Sequence, residues 1–195
     1  MKELKERIRK EGRVLPGNII KIDGFLNHRV DTALMRSIAK EIKRLFDTSE
    51  VTMVMTVEAS GIPLGTITAE ELGVPMVFAK KAKSDNIEGG ILRSDIYSYT
   101  YKKKVTLLVS GQWISADDKV LVVDDFLANG EALRGVVEII EQAGATLVGM
   151  GVAVEKGFQK GGRELRARGV NLKSLAIIES ADETGIVFRE DPEEE

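Results

Sequence analysis

The stretch "VLVVDDFLANGEA", residues 120–132, constrains the fold of this chain more than any other. An aliphatic run without polar alternation reads as a strand buried on both faces, and such strands belong to parallel sheets covered by helices. Its polar end, Asp124–Asp125, stands where the chain leaves the sheet. A short loop follows, then a helix over about 130–142, with Gly144 as its C-terminal stop.

The rest of the chain repeats this strand–helix alternation. "VTMVMTV" at 51–57, "VPMVFAK", "VTLLVS" and "TLVGMGVAVE" are strand-like, and "LKSLAII" and "GIVFRE" are late strands. Residues 2–11 form a charged helix with Leu4 and Ile8 on one face, ended by Gly12. Asp31 is a suitable N-cap for a helix over 32–46 with Ala33, Leu34, Ile38, Ile42 and Leu45 or Phe46 as its buried stripe. A short helix reaches about Leu72, and another lies in "GGRELRARG". The order implies an α/β fold, a central parallel twisted sheet flanked by helices. With 195 residues and no internal repeat, one domain over 1–195 is expected. Residues 14–28 are too apolar for a linker and too broken for long strands. Residues 80–104 combine lysines, Gly89–Gly90 and the alternating "IYSYTY", which suggests a flexible β-hairpin. The acidic end "EDPEEE" reads as a disordered, solubilising tail.

Composition removes several classes. The net charge of -3 gives no general case for nucleic-acid binding. There is no cysteine, so no disulfide framework, thiolate catalysis or zinc site is expected. The N-terminus lacks the apolar core of a signal peptide and no apolar run reaches membrane-spanning length, so a soluble cytoplasmic protein without a membrane partner is expected. The single histidine, His28, sits among charged neighbours and is assigned no chemistry.

The open end of a parallel sheet is where α/β folds bind ligands. Asp124 and Asp125 there carry like charges side by side, which costs free energy unless something offsets it. Gly130 allows backbone angles closed to other residues and close approach of a ligand. The helix start presents free N–H groups and a positive dipole end to the same space, which is an anion site. "EASG", Glu58 to Gly61, leaves another parallel strand with small residues that also permit close approach.

Aliphatic strand, two acids, apolar pair, small residue, polar residue and glycine together resemble the signature by which type I phosphoribosyltransferases bind 5-phosphoribosyl diphosphate. "FLNH" and "VEKGF" (154–158), in order around it, extend the resemblance over nearly the whole chain, toward the members that use xanthine. The resemblance implies roles for particular residues. Asp124 and Asp125 would receive the ribose hydroxyls, and Ala128, Asn129, Gly130, Glu131 and Ala132 would cradle the 5′-phosphate. Glu58, Ala59, Ser60 and Gly61 would form the pyrophosphate loop, in which a strained peptide is common. Ile20, Asn27 and Lys156 would contact the purine, and Phe126 and Phe158 are either near it or in the core. A hood is implied from about 1–30 with late C-terminal elements, and a lid over about 80–104 carrying Lys80, Lys81, Lys83 and Lys102 to Lys104, with Lys80 and Lys81 the candidates for substrate contact. Also implied are Mg²⁺ held mainly through substrate oxygens with no protein metal site, xanthine and phosphoribosyl diphosphate as substrates, and a homodimer. One departure stands out: many members carry threonines in the phosphate loop, and here Glu131 brings a negative charge, so its side chain is expected to point outward. A preference for guanine, hypoxanthine or adenine is the first alternative. A non-catalytic regulator sensing the diphosphate sugar is the second.

Overall fold

A computed structural model describes residues 1–81, 90–98, 103–182 and 185–190. The elements are α1 (Lys2–Glu11), β1 (Arg13–Leu15), β2 (Ile19–Lys21), α2 (Thr32–Leu45), β3 (Met53–Val57), α3 (Gly61–Leu72), β4 (Met76–Ala79), β5 (Ile91–Ser98), β6 (Lys103–Ser110), β7 (Lys119–Leu127), α4 (Glu131–Gln142), β8 (Thr146–Lys156), α5 (Gly161–Ala167), β9 (Leu172–Asp182) and β10 (Gly185–Phe188).

The central sheet has the order β10-β9-β8-β7-β3-β4. The strands from β9 to β4 are parallel, as the buried aliphatic runs require. β10 instead pairs antiparallel with β9, so the sheet is mixed. Only residues 183–184 lie between these two strands, and a parallel return needs a crossover of about a dozen residues or more.

Alternation along the strands divides the core in two. Val54, Leu121 and Val123 pack with α2, α3 and the N-terminal segment. Met53, Met55, Val120 and Val122 pack on the other face with α4, α5 and the β5–β6 hairpin. Asp31 caps α2 by accepting from the N–H groups of Ala33 and Leu34, both at 3.2 Å. The buried stripe of α2 is Leu34, Met35, Ile38, Ala39 and Ile42, whereas Ala33 faces solvent. The stripe therefore begins one residue later than the sequence suggested.

Two segments are more ordered than their sequences implied. Residues 13–21 close into a short antiparallel pair, with Leu15 opposite Ile19. Its turn has positive φ at Gly17 (83°) and Asn18 (58°), the two residue types that accept that geometry most readily. The hairpin of β5 and β6 runs to Ser110, past the end of the expected lid, and its lower half belongs to the core. Ile96 and Leu107 are buried against α4. A side-chain carbon at Gly135 of α4 would stand 2.8 Å from Ile96 Cγ2 and 2.9 Å from Leu107 Cδ1. The lid residues 82–89 and 99–102, with Lys83 and Lys102, and the tail 191–195 lie outside the described residues.

Candidate active site

The strand order reverses between β3 and β7: β3 leads outward to β4, while β7 leads to β8 and β9 on its other side. A crevice forms outside the C-terminal ends of the two strands at such a reversal. The loops leaving them are 58–60 and 128–130, the two that the sequence singled out.

Asp124 and Asp125 lie inside β7, which continues to Leu127, not at its last residues. Asp124 lines a cavity of about 160 Å³ with Lys81, Tyr97, Phe126 and the loop Ala128–Ala132. Asp125, only 2% exposed, accepts from Asn27 Nδ2 at 2.8 Å and from Ser60 Oγ at 2.9 Å. One carboxylate therefore joins the N-terminal hood to the loop after β3. Asn27 keeps a second amide N–H and its carbonyl oxygen for other partners.

Gly61 opens α3 directly against these acids. A side-chain carbon there would stand 2.0 Å from Thr56 Oγ1 and 2.7 Å from Asp124 Oδ1. The peptide Glu58–Ala59 is cis. Glu58 is tied to the neighbouring segment: its N–H donates to Ala79 O at 3.0 Å, and its carboxylate accepts from the Lys81 N–H. Glu58, Ala59, Lys81 and Lys103 line a second cavity of about 340 Å³. Lys81 thus borders both cavities. Lys80 does not, because an extended chain alternates its side chains. It lies in a separate groove with Phe78 and Trp113.

Gly130 has φ +80°, the left-handed conformation that glycine accepts without steric cost. The close approach that needs it is made by Gly161, whose Cα would lie 3.0 Å from a side-chain carbon at Gly130. Gly161 N–H donates to Ala128 O at 3.2 Å, so the loop 128–130 is built against the start of α5. Glu131 does not simply point away. It is half-buried and paired with Arg134, which also donates to Asn129 O at 3.2 Å and to Glu164 at 2.9 Å. The guanidinium neutralises the charge that looked unsuited to an anion site.

Lys156 ends β8. Its ammonium lies 5.5 Å from the centre of the Phe126 ring and donates to Asn18 O at 3.4 Å. Burial lowers its pKa below that of an ordinary lysine. Ile20 is buried in the hood, and Phe158 is 38% exposed. Sequence reasoning missed Gly161, Arg134 and the buried Glu155. "KGG" after the "EKGF" segment was the only available hint of the first.

Burial, and then the neighbouring Asp125 charge, raise the Asp124 pKa well above the usual carboxylate value. A carboxyl raised on folding holds its proton more tightly in the native state, so its contribution to stability is lost as pH rises through that raised value. Asp124→Asn removes the like-charge repulsion and keeps an oxygen to accept the Asp125 N–H, the bond now made at 3.0 Å. It is expected to stabilise the fold at neutral pH by about 1–2 kcal/mol, raising Tm by roughly 2–8 °C, while activity falls. Thermal melts at pH 7 decide it, and an unchanged or lower Tm would sink the argument.

Two loops that lead into the starts of α3 and α4 flank a pair of carboxylates at the switch point of the sheet, an arrangement that can receive an anionic group beside hydroxyls. Residues 25–189 match the family described as "Phosphoribosyl transferase domain". The chain belongs to the phosphoribosyltransferase family. Among its relatives, a protein of Lachnoclostridium phytofermentans named "Xanthine phosphoribosyltransferase" is 48% identical over 98% of this chain and 100% of its own length. A Streptococcus gordonii protein of the same name is 48% identical over 96% of this chain and 97% of its own. Among solved structures, the fold is shared with an adenine phosphoribosyltransferase from Giardia lamblia complexed with 9-deazaadenine (TM-score 0.74, 24% identity, 89% of this chain and 96% of that one). It is also shared with one from Rhodothermus marinus (TM-score 0.73, 22% identity, 91% and 100%).

Proposed function

We propose that this protein transfers the 5-phosphoribosyl group of phosphoribosyl diphosphate to xanthine, giving xanthosine 5′-phosphate and pyrophosphate. The observation that carries the reading is the Asp125 carboxylate bonded at once to Asn27 of the hood and Ser60 of the loop after β3. On this reading that one group lies between the base and the pyrophosphate, where the ribose would sit. Its neighbour Asp124 shares a cavity with the loop 128–132, whose start-of-helix amides suit the 5′-phosphate. The relatives' names support the base.

In the reaction the bond from C1 to the pyrophosphate oxygen breaks, a ring nitrogen bonds to C1, and the ring proton is released. C1 acquires positive character as the leaving group departs. Asp124 and Asp125 hold the hydroxyls beside it, while the loops fix the charged ends, so the acceleration comes from positioning and electrostatics. No side-chain nucleophile is required. Lys81, on the border of both cavities, is the lysine best placed to meet pyrophosphate oxygens. Among the described residues no group of three or more His, Cys, Asp or Glu could hold a metal ion alone. Mg²⁺, which seeks hard oxygen ligands, would be held mainly by oxygens of the bound diphosphate and ribose, and would neutralise charge on the leaving group.

Lys156 supplies the preference for xanthine, the most acidic of the candidate bases, through its positive charge. Asn27 separates xanthine from hypoxanthine, which lacks the C2 oxygen and leaves the amide unpaired. Pyrophosphate release with each purine, with and without Mg²⁺, should give the order xanthine, guanine, hypoxanthine, adenine. Lys156→Ala should compress the xanthine-to-hypoxanthine ratio of kcat/KM by about tenfold to a hundredfold, the worth of a charge-assisted hydrogen bond. Because the Lys156 pKa is lowered, the wild-type preference should weaken on the alkaline side at lower pH than an ordinary lysine would allow. Hypoxanthine or adenine outrunning xanthine in the wild type would overturn the base assignment. No pyrophosphate release with any purine would favour the sensing regulator.

The same reading includes a homodimer. Trp113 is 62% exposed beside an apolar groove of about 510 Å³ between β4 and β6, the kind of surface that a partner copy covers. Sedimentation at working concentration should show two copies, and a monomer with full activity would remove the dimer.

A further inference from the structure

Glu155 is 3% exposed, and nothing in the proposed transfer uses it. Its carboxylate takes both arms of Arg166, at 2.9 and 2.7 Å, and the Ser174 hydroxyl. Burial pushes its pKa up, but the bonds from Arg166 and Ser174 outweigh that, and it ends below the usual value. Glu155 is therefore charged and fixed. The next residue is Lys156.

Arg166 belongs to α5, and α5 is held on its other side as well. Glu164 pairs with Arg134 at 2.9 Å, and Arg134 bonds the loop carbonyl of Asn129. The first residues of α5 are pressed between the two regions. A side-chain carbon at Gly162 would stand 1.9 Å from Glu155 Oε1, and one at Gly161 would stand 2.3 Å from Ala128 O and 2.6 Å from Gly130 N. Two glycines in succession let one backbone touch the base strand and the phosphate loop together.

We propose that α5 is a strut that sets the distance between Lys156 and the loop 128–130, with Glu155–Arg166 and Glu164–Arg134 as the ion pairs that seat its two sides. Arg166 and Glu155 are positioning residues: they act through the strand and the loop and need not touch substrate. The proposal rests on the reading of Lys156 as a base contact and of 128–132 as the phosphate cradle. Its distinguishing consequence is a crossed effect. Loosening the Glu155 side must disturb the sugar diphosphate, although Glu155 and Arg166 bond nothing in its loop.

The test is the KM of each substrate for the full chain and for Arg166→Lys, which keeps the charge but loses the two-armed grip. Glu155→Gln serves as a second variant, and thermal melts and Lys156→Ala run alongside. Both variants should raise KM for xanthine and for phosphoribosyl diphosphate, each by about fivefold to tenfold, since a displacement near 1 Å costs roughly a hundredfold and a loosened strut allows less. A lower Tm or a lower active fraction with both KM values at wild type would make the pair merely structural and overturn the strut. A rise for xanthine alone would also overturn it, leaving Glu155 as a local support of Lys156. If Lys156→Ala leaves the xanthine KM untouched, the base reading fails and the strut falls with it.

Discussion

Asp125→Asn is expected to lower kcat/KM for phosphoribosyl diphosphate by about a hundredfold or more. A hydrogen bond to a charged group is worth roughly 1.5–3 kcal/mol, and ribose hydroxyls would lose such bonds. The structure raises the expectation further. Both carboxylate oxygens already accept, from Asn27 and from Ser60. An asparagine offers one oxygen and one N–H₂ group: the oxygen can keep the Asn27 bond and the N–H₂ group can donate to the Ser60 hydroxyl oxygen, but at a site 2% exposed both bonds lose the carboxylate charge. Steady-state kinetics with each substrate varied would measure it. Wild-type efficiency would remove this acid from the reaction.

Gly130→Val is expected to raise the Kd for phosphoribosyl diphosphate by about a hundredfold. Valine at φ +80° places a branched side chain in the left-handed region, which costs roughly 1–2 kcal/mol for ordinary residues. Its first carbon would already stand 3.0 Å from Gly161 Cα, a backbone atom that cannot swing aside. The loop must retreat from α5, and a misplacement near 1 Å costs about two orders of magnitude in a site that works by positioning. Gly161→Ala strikes the same contact from the other side and should act in the same direction. Titration calorimetry gives the affinity, and a thermal melt alongside separates lost binding from unfolding. Wild-type affinity in a folded Gly130→Val protein would defeat the cradle.

The parts of this protein that were legible in its sequence are those governed by local periodicity and local backbone chemistry. "VLVV" and "VTMVMTV" are aliphatic on both faces, so they had to be central parallel strands. Asp31 had to cap α2, since its oxygen sits two and three residues from the N–H groups it bonds. Gly130 followed by a helix marked an anion loop, and "DDFLANG" with "VEKGF" pointed to the family. The short pair β1–β2 was missed because three-residue strands carry too little alternation to be read.

What only the tertiary structure decided depends on which faces were brought together. Asn27 and Asp125 meet across 98 residues of chain, and Ser60 reaches the same carboxylate across 65. Arg134 offsets Glu131 from one turn along α4, but its grip on Glu164 exists only because α5 docks there. Gly161 looked like an ordinary helix start until β8 and the loop after β7 were placed beside each other. Lys80 and Lys81 are neighbours of one type, yet the crevice receives only Lys81. A strand or a cap is fixed by atoms a few residues apart, whose spacing the backbone dictates. A shared carboxylate or a glycine–glycine contact is fixed by the packing of whole elements, and no local pattern carries that information.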